Sequence, residues 1–382
     1  MHDVLVIGGG PAGASAAILL ARAGRSVAVV EKEAFPRRKV CGEYVSASAM
    51  SVLRTLGAPG FFDAVCGPGV RKILLWAGDA AVEAPLPRQA RTLAREKLDT
   101  LLLAQARECG AEVRQPAVGI ELERSAGGFR CRASLERGEG ELELEARAVI
   151  AAHGSWQPGA LPTQRRRSPP LPSDLLAFKA HFRDAGVPAG AIAIAPFPGG
   201  YGGALCIEDG RATYACCIRR DVLAAVRAAS PGLAAGEAAF GHALKHAAGL
   251  QRAFRAAQLD DRWLASGPLL KGAPRPYADG IFAVGNAAGE MHPVIGEGLA
   301  MAMLSARLVS ETLAAVPQAR WSGEATESAG HTYAARWHRT FRRRAWAAGC
   351  IARLAMRPDA ARRAAAVARM PPLLTLAARL AA

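Results

Sequence analysis

The sequence predicts an α/β chain in which a parallel-stranded domain, assembled from discontinuous segments, is interrupted by a mixed or antiparallel sheet and followed by a helical, basic C-terminus. Three observations predict it. A glycine cluster, Gly8-Gly9-Gly10, lies between two short apolar runs near the N-terminal end; between about residues 171 and 220 the patterning changes to hairpin-like pieces; and from Arg336 onward eleven arginines against one acid, Asp359, carry ten of the fifteen net positive charges. At 382 residues, 51% hydrophobic and 21% charged, the composition is that of a folded protein too long for one minimal domain, so two interlocked domains are expected.

Val4-Leu5-Val6-Ile7 is a β-rich run, followed by the glycines, a helix-prone stretch from Ala14 to Ala23 that Gly24 ends, and a second apolar run, Val27 to Val30. Parallel strands need a crossover, usually a helix, so these pieces make a βαβ unit. Arg95 to Arg107 is a further helix, with Leu98, Leu101, Leu102 and Ala106 on one side, and Ala146 to Ala152 is an apolar strand returning to the same sheet. Tyr201 to Ile207, the turn Glu208-Asp209-Gly210-Arg211 and Ala212 to Ile218 read as a hairpin from their turn chemistry. Ile281 to Val284 is one more strand, leading through Gly285-Asn286-Ala287-Ala288-Gly289 into a helix from about Glu297 to Leu313. The first domain therefore resumes after the middle section.

Gly8-x-Gly10-x-x-Gly13 sits directly after a strand and opens a helix, with Glu31 at the end of the next strand, which is the arrangement a dinucleotide fingerprint requires. Gly8 permits the tight turn, Gly10 lets backbone approach a pyrophosphate, and Gly13 permits close helix packing. The helix N-terminus offers its dipole and unpaired N–H groups to the phosphates, and Glu31 can accept hydrogen bonds from ribose hydroxyls. These residues select a dinucleotide without choosing between FAD and NAD.

Five segments, spanning most of residues 1 to about 315, together resemble the flavoproteins of the geranylgeranyl reductase and aromatic-hydroxylase (group A flavin monooxygenase) superfamily. They are Gly8 to Gly13; Lys39-Val40-Cys41-Gly42-Glu43, similar to the reductases' K-x-C-G loop; Arg95 to Asp99, similar to R-x-x-L-D; Ala151-Ala152-His153-Gly154-Ser155; and Gly285 to Gly289 with Pro293-x-x-Gly296-Glu297-Gly298. His153 and Asn286 each stand where the family has Asp. The resemblance implies a Rossmann-like FAD-binding domain over residues 1–70, 90–165 and 265–315, a substrate domain over 71–89 and 166–264, and a helical region over 316–382. It implies FAD contacts from Gly8, Gly10, Pro11, Ala12, Gly13, Glu31 and Lys32 around the adenosine diphosphate half. Lys39, Cys41, Gly42, Arg95, His153, Gly154, Gly285, Asn286, Pro293, Gly296, Glu297 and Gly298 are implied around the rest. The glycine-led last helix would turn its positive end to the flavin and favour the negative charge of the reduced ring.

The implied activity is that of an FAD-dependent oxidoreductase on an apolar polyketide-, aromatic- or isoprenoid-like substrate, with NAD(P)H as the candidate electron donor. Monooxygenation or dehydrogenation, reduction of a carbon–carbon double bond, and a non-catalytic flavin-binding partner are the competing readings. Cys41, Glu43 and His292 are the candidate catalytic residues. The alternative readings are Cys41 as a packed thiol, Glu43 as an exposed loop carboxylate, and His292 as a ring that only bonds nearby backbone. Phe178, Phe182, Phe197 and Tyr201 either line an apolar pocket between sheet and flavin or form the sheet's core. Gly203 stands where the reductases' G-Y-x-W strand has Trp.

Eight cysteines without a C-x-x-C pair fit a reducing cytoplasm, and His181, His242 and His246 have no companions at metal spacing. The N-terminal run is broken by glycines and Pro11, so it reads as neither signal peptide nor membrane span. In the tail, Trp337, Phe341, Ala345, Ala348 and Ile351 fall near one side of a helix and arginines largely opposite. Such an element suits peripheral contact with an anionic membrane, or packing against its own protein; no nucleic-acid motif accompanies the charge.

Overall fold

A computed structural model describes residues 1–135, 140–155, 161–164, 169–269, 273–317, 321 and 323–357; the tail positions Asp359, Arg362, Arg363, Arg369 and Arg379 lie outside the described residues. The first sheet runs Ile281–Ala283, Glu141–Ala151, His2–Ile7, Val27–Val30 and Glu112–Arg114 side by side and parallel, with Tyr277–Ala278 antiparallel at one edge. Val4 pairs with Val27 on one side and Ala148 on the other, so His2–Ile7 is central and buried on both faces. That is why it reads as an unbroken apolar run. The helices Pro11–Arg22, Arg95–Glu108 and Gly298–Ala314 pack against one another over this sheet.

Two boundaries differ from the sequence reading for physical reasons. The first helix begins at Pro11, because proline's missing N–H is harmless at the first helical position and Gly10 supplies an extended cap. The strand read as Ala146–Ala152 begins at Glu141, since its first half alternates buried and open positions against the antiparallel strand Gly128–Leu135 and only its second half is covered on both faces.

The second sheet is mixed. Its strands follow in space as Gln258–Leu259, Leu175–Arg183, Ala212–Arg219, Gly200–Cys206, Ala191–Phe197, Val70–Ala77, Ala80–Thr92 and Tyr44–Val45. The hairpin expected around Glu208 is present, with Cys206 opposite Ala212. Successive side chains alternate faces. Phe178, Phe182, Phe197, Tyr214 and Ile218 point to one face and form a core with the helices Arg220–Ala228, Ala235–His246 and Ala248–Ala253. Tyr201, paired with Cys217, points to the other. The four aromatics grouped from sequence therefore divide: three are core of the outer face, and Tyr201 alone belongs to the inner face.

The helix Gly323–Ala355 buries Tyr333, Trp337, Phe341 and Ala348 in the first domain's core. Ala345 is exposed and Ile351 only half-buried, so the internal stripe continues through Ala352 and Ala355 instead. The apolar side read as membrane-facing is thus occupied by the protein's own core. Among the described residues no helix is long and apolar enough to cross a membrane.

Candidate cofactor and substrate site

Gly8 takes φ +110°, and a carbon added to it would lie 2.6 Å from the Ala152 carbonyl oxygen; one added to Gly13 would lie 1.8 Å from the Gly8 oxygen. Both glycines are therefore required by close approach, Gly13 where the first helix crosses the turn. Gly10 caps that helix with no side chain, leaving its first N–H groups for an anion. Glu31, 4% exposed, accepts from Gly9 N (2.7 Å) and Glu33 N (3.0 Å).

Arg37, missed in the sequence, completes this end. Its guanidinium stands 3.7 Å from both Glu31 and Asp99, and Nη2 is 3.6 Å from where a Gly10 side chain would begin. Arg95 grips Asp99 through two 2.7 Å hydrogen bonds. Asp99 thus anchors two cations beside the helix N-terminus. Lys32 and Lys39 lie 3.7 and 3.6 Å from Glu33, and burial, reinforced by Arg37, pushes the Lys39 ammonium down to about 8.

The remaining motif segments converge on the same cleft. A carbon on Gly285 would touch Ala12 at 3.1 Å, and one on Gly296 would meet the Tyr44 ring at 2.8 Å. Asn286 donates to Ser155 (3.1 Å) and to Glu290 (3.1 Å), and Ser155 donates to Glu290 (3.0 Å). A carboxylate, that of Glu290 four residues later, thus stands beside the Asn286 amide and the hydroxyl of Ser155, which follows His153 and Gly154 in the chain. Glu297 caps the helix Gly298–Ala314; burial pushes its carboxyl up, while Ser46 and Arg344 oppose this. This buried acid makes no side-chain hydrogen bond to the N-terminus of the helix, the end expected to face the ring.

Glu43 is 1% exposed, so the reading as an exposed loop carboxylate is corrected. Its Oε1 accepts from Arg95 N (2.9 Å) and from Lys179 Nζ, and its Oε2 from His181 Nε2 (2.7 Å) and Thr213 Oγ1. Burial alone would raise this carboxyl, yet the His181 hydrogen bond and the Lys179 charge hold it at about 2. Its φ of +58° is a left-handed conformation that a glutamate keeps only when surroundings fix it. The latch ties the Cys41-Gly42 loop to the inner face of the second sheet. Cys41 itself accepts from Glu43 N (3.4 Å).

Residues 1–168 match the family model described as an FAD binding domain. The menaquinone reductase of Mycobacterium tuberculosis is 32% identical over 160 residues, which are 41% of this chain and 38% of that enzyme's length. Digeranylgeranylglycerophospholipid reductase 1 of Methanothermobacter thermautotrophicus is 29% identical over 337 residues, 82% of this chain and 77% of that protein. In fold, the chain is similar to PqsL of Pseudomonas aeruginosa, described as a probable FAD-dependent monooxygenase, with a TM-score of 0.75, 19% identity and coverage of 95% and 98% of the two chains. The first 168 residues of the chain therefore carry an FAD binding domain.

The flavoprotein's cleft fits FAD. Carbons added to Gly42, Gly154 or Gly298 would meet no atom within 4 Å, so these backbones are open to the approach of a bound group. Arg37 Nε and Nη1 and Glu297 Oε2 are buried polar atoms without a hydrogen-bond partner among the described residues. Gly10, Arg37 and Glu31 would hold the adenosine diphosphate half; Gly42, Gly154, Asn286 and Gly298 would border the flavin half.

On the substrate side of the flavoprotein, Tyr201 Oη lies 2.8 Å from His292 Nδ1. Burial pushes the His292 imidazole down to about 4 and the Tyr201 phenol far up, and it drives the adjoining Cys217 thiol to about 12, so all three are neutral near pH 7. Around Tyr201 pack Ala177, Cys217, Ala355, Val40, Val294 and Met356, an apolar cluster between the sheet, the Cys41 loop and the end of the last long helix. Pro293 opens the short turn Pro293–Ile295 that carries Val294 into it.

Proposed function

We propose that this flavoprotein is a reductase that adds two hydrogens across a carbon–carbon double bond of an apolar, isoprenoid-like substrate, with NAD(P)H as electron donor. FAD, when bound, supplies the two-electron chemistry. The protein must supply the rest: an apolar bed, exclusion of water, and a proton for the second carbon. The observation that carries the reading is the Tyr201–His292 pair, set where the apolar cluster meets half-buried His292. A neutral imidazole that accepts Tyr201 O–H at Nδ1 carries its own proton on Nε2, so the pair presents a donor without a buried charge. His292 is only half-buried, which lets solvent restore the proton. Two relatives named as reductases support the same reading.

Monooxygenation is the second reading, favoured by the likeness in fold to PqsL. The two differ in what the substrate gains. Incubating holoenzyme with NAD(P)H and a polyprenyl alcohol or quinone, first without and then with oxygen, and weighing the product decides between them. A gain of two hydrogens without oxygen supports the reductase; a product heavier by one oxygen, formed only aerobically, overturns it. With Tyr201→Phe and His292→Gln we expect turnover to fall at least about a hundredfold, the usual scale of general acid catalysis. Flavin content should be unchanged, and full activity in both variants would remove the pair from the mechanism.

A further inference from the structure

We propose that the outward side of the helix Gly323–Ala355, over its C-terminal half, docks on an anionic phospholipid bilayer. Arg339, Arg342, Arg343, Trp346, Arg353 and Leu354 fall on one side at 3.6 residues per turn, opposite the buried Trp337, Phe341, Ala348 and Ala352. Trp346 is 74% exposed and Leu354 45%, the most exposed tryptophan among the described residues and a large aliphatic chain set among arginines. No acidic residue occurs between Ser328 and Arg357, and among the described residues none of these four arginines meets a carboxylate within ion-pair distance. His338, Arg339, Arg342 and Arg343 line a surface groove of about 500 Å³, a place for an anionic headgroup.

The two kinds of side chain call for one kind of partner. Unpaired arginines seek phosphate, and an exposed indole is stable where an apolar medium meets a wet one, which is the interfacial zone of a bilayer. A nucleic acid would use the arginines and leave Trp346 and Leu354 in water. The same helix ends at the apolar cluster, where Ala355 and Met356 pack beside Tyr201 and the Met356 carbonyl accepts from Gly199 N at 3.3 Å. Docking on this side therefore brings the cluster to the lipid surface, where an apolar substrate is dissolved. That last step rests on the proposed function; the docking does not.

The test is co-sedimentation of the full-length holoenzyme with phosphatidylcholine vesicles, with and without phosphatidylglycerol, at low and high salt. We expect binding only to the vesicles containing phosphatidylglycerol, weakened by salt, with a blue shift of tryptophan emission that is absent in Trp346→Phe. Arg342→Gln/Arg343→Gln should lower partitioning about thirtyfold, on the scale of about 1 kcal/mol for each basic residue near an anionic surface, while flavin content and turnover of a short-chain, water-soluble substrate stay unchanged. Equal binding to both vesicle types, no binding to either, or binding that survives the double variant would overturn the proposal. So would tight binding of a DNA duplex without vesicle binding. Loss of turnover with vesicle binding intact would instead count against the proposed reaction.

Discussion

Glu31 and Glu43 are both nearly sealed from solvent, at 4% and 1% exposure, yet they do opposite things. Glu31 takes two backbone hydrogen bonds and stands 3.7 Å from Arg37, whose Nε and Nη1 have no hydrogen-bond partner among the described residues. Glu43 is saturated by Arg95 N, Lys179, His181 and Thr213. A buried carboxylate with capacity to spare beside a guanidinium with unused N–H donors marks where a ligand is bound. One whose acceptors are all engaged by its own chain marks a fastening. The cofactor end of the cleft is of the first kind, and the seam between loop and substrate sheet is of the second.

The largest effect should come from breaking the cofactor end at its tightest point. In Gly13→Val the first added carbon already lies 1.8 Å from the Gly8 oxygen and 3.0 Å from Ala152 Cβ. Neither neighbour yields easily, since one is backbone and the other directly follows the buried end of the strand Glu141–Ala151, so the helix must lift from the turn. We expect purified protein without bound flavin, read from the visible absorbance per chain. A variant that retains full flavin would refute the role given to Gly13.

Breaking the fastening should cost less and act on stability more than on flavin. Glu43→Gln leaves Lys179 buried without its carboxylate, and removing one partner of a buried pair costs about 3–5 kcal/mol. The pH dependence gives a second handle. The folded-state carboxyl is held at about 2, below its usual 4.5, so the contribution is complete above about 4.5 and is lost as pH falls from there toward 2. Urea midpoints for wild type and Glu43→Gln should converge as pH drops through that window. Parallel midpoints would show that the carboxylate is not the group held.

What the sequence made legible follows the same division. Gly8, Gly13 and Glu31 carry their reasons locally, because a turn, a crossing and a strand end are each decided within a few residues. The latch is not local: Glu43 meets partners 136, 138 and 170 positions away. A faint signal existed, since Lys179 and His181 interrupt an apolar strand two residues apart and must share one face. Arg37 was hidden in the run Arg37-Arg38-Lys39, where charge alone cannot show which side chain turns inward. The division of Phe178, Phe182 and Phe197 from Tyr201 depends on strand register, which alternation within one strand does not supply.

The smallest expected effect sharpens the contrast between the two faces of the substrate sheet. Gly202 and Gly203 are neighbours on one strand and point to opposite faces. A carbon on Gly202 would lie 2.4 Å from the Tyr214 hydroxyl in the outer core, whereas one on Gly203 would find its nearest atoms at 3.5 and 3.7 Å. Overpacking of a filled core costs about 1–3 kcal/mol, so Gly202→Ala should lower the melting temperature by several degrees. Gly203→Ala should leave it within about 0.5 kcal/mol of wild type, as at sites free of such clashes. Gly203→Trp, which restores the residue the reductases carry there, should act on the bound substrate instead: KM for bulky substrates rises while flavin content holds. If Gly203→Ala proved as destabilising as Gly202→Ala, the inner face would be packed like the outer one, and the space assigned to substrate beside Tyr201 would not exist.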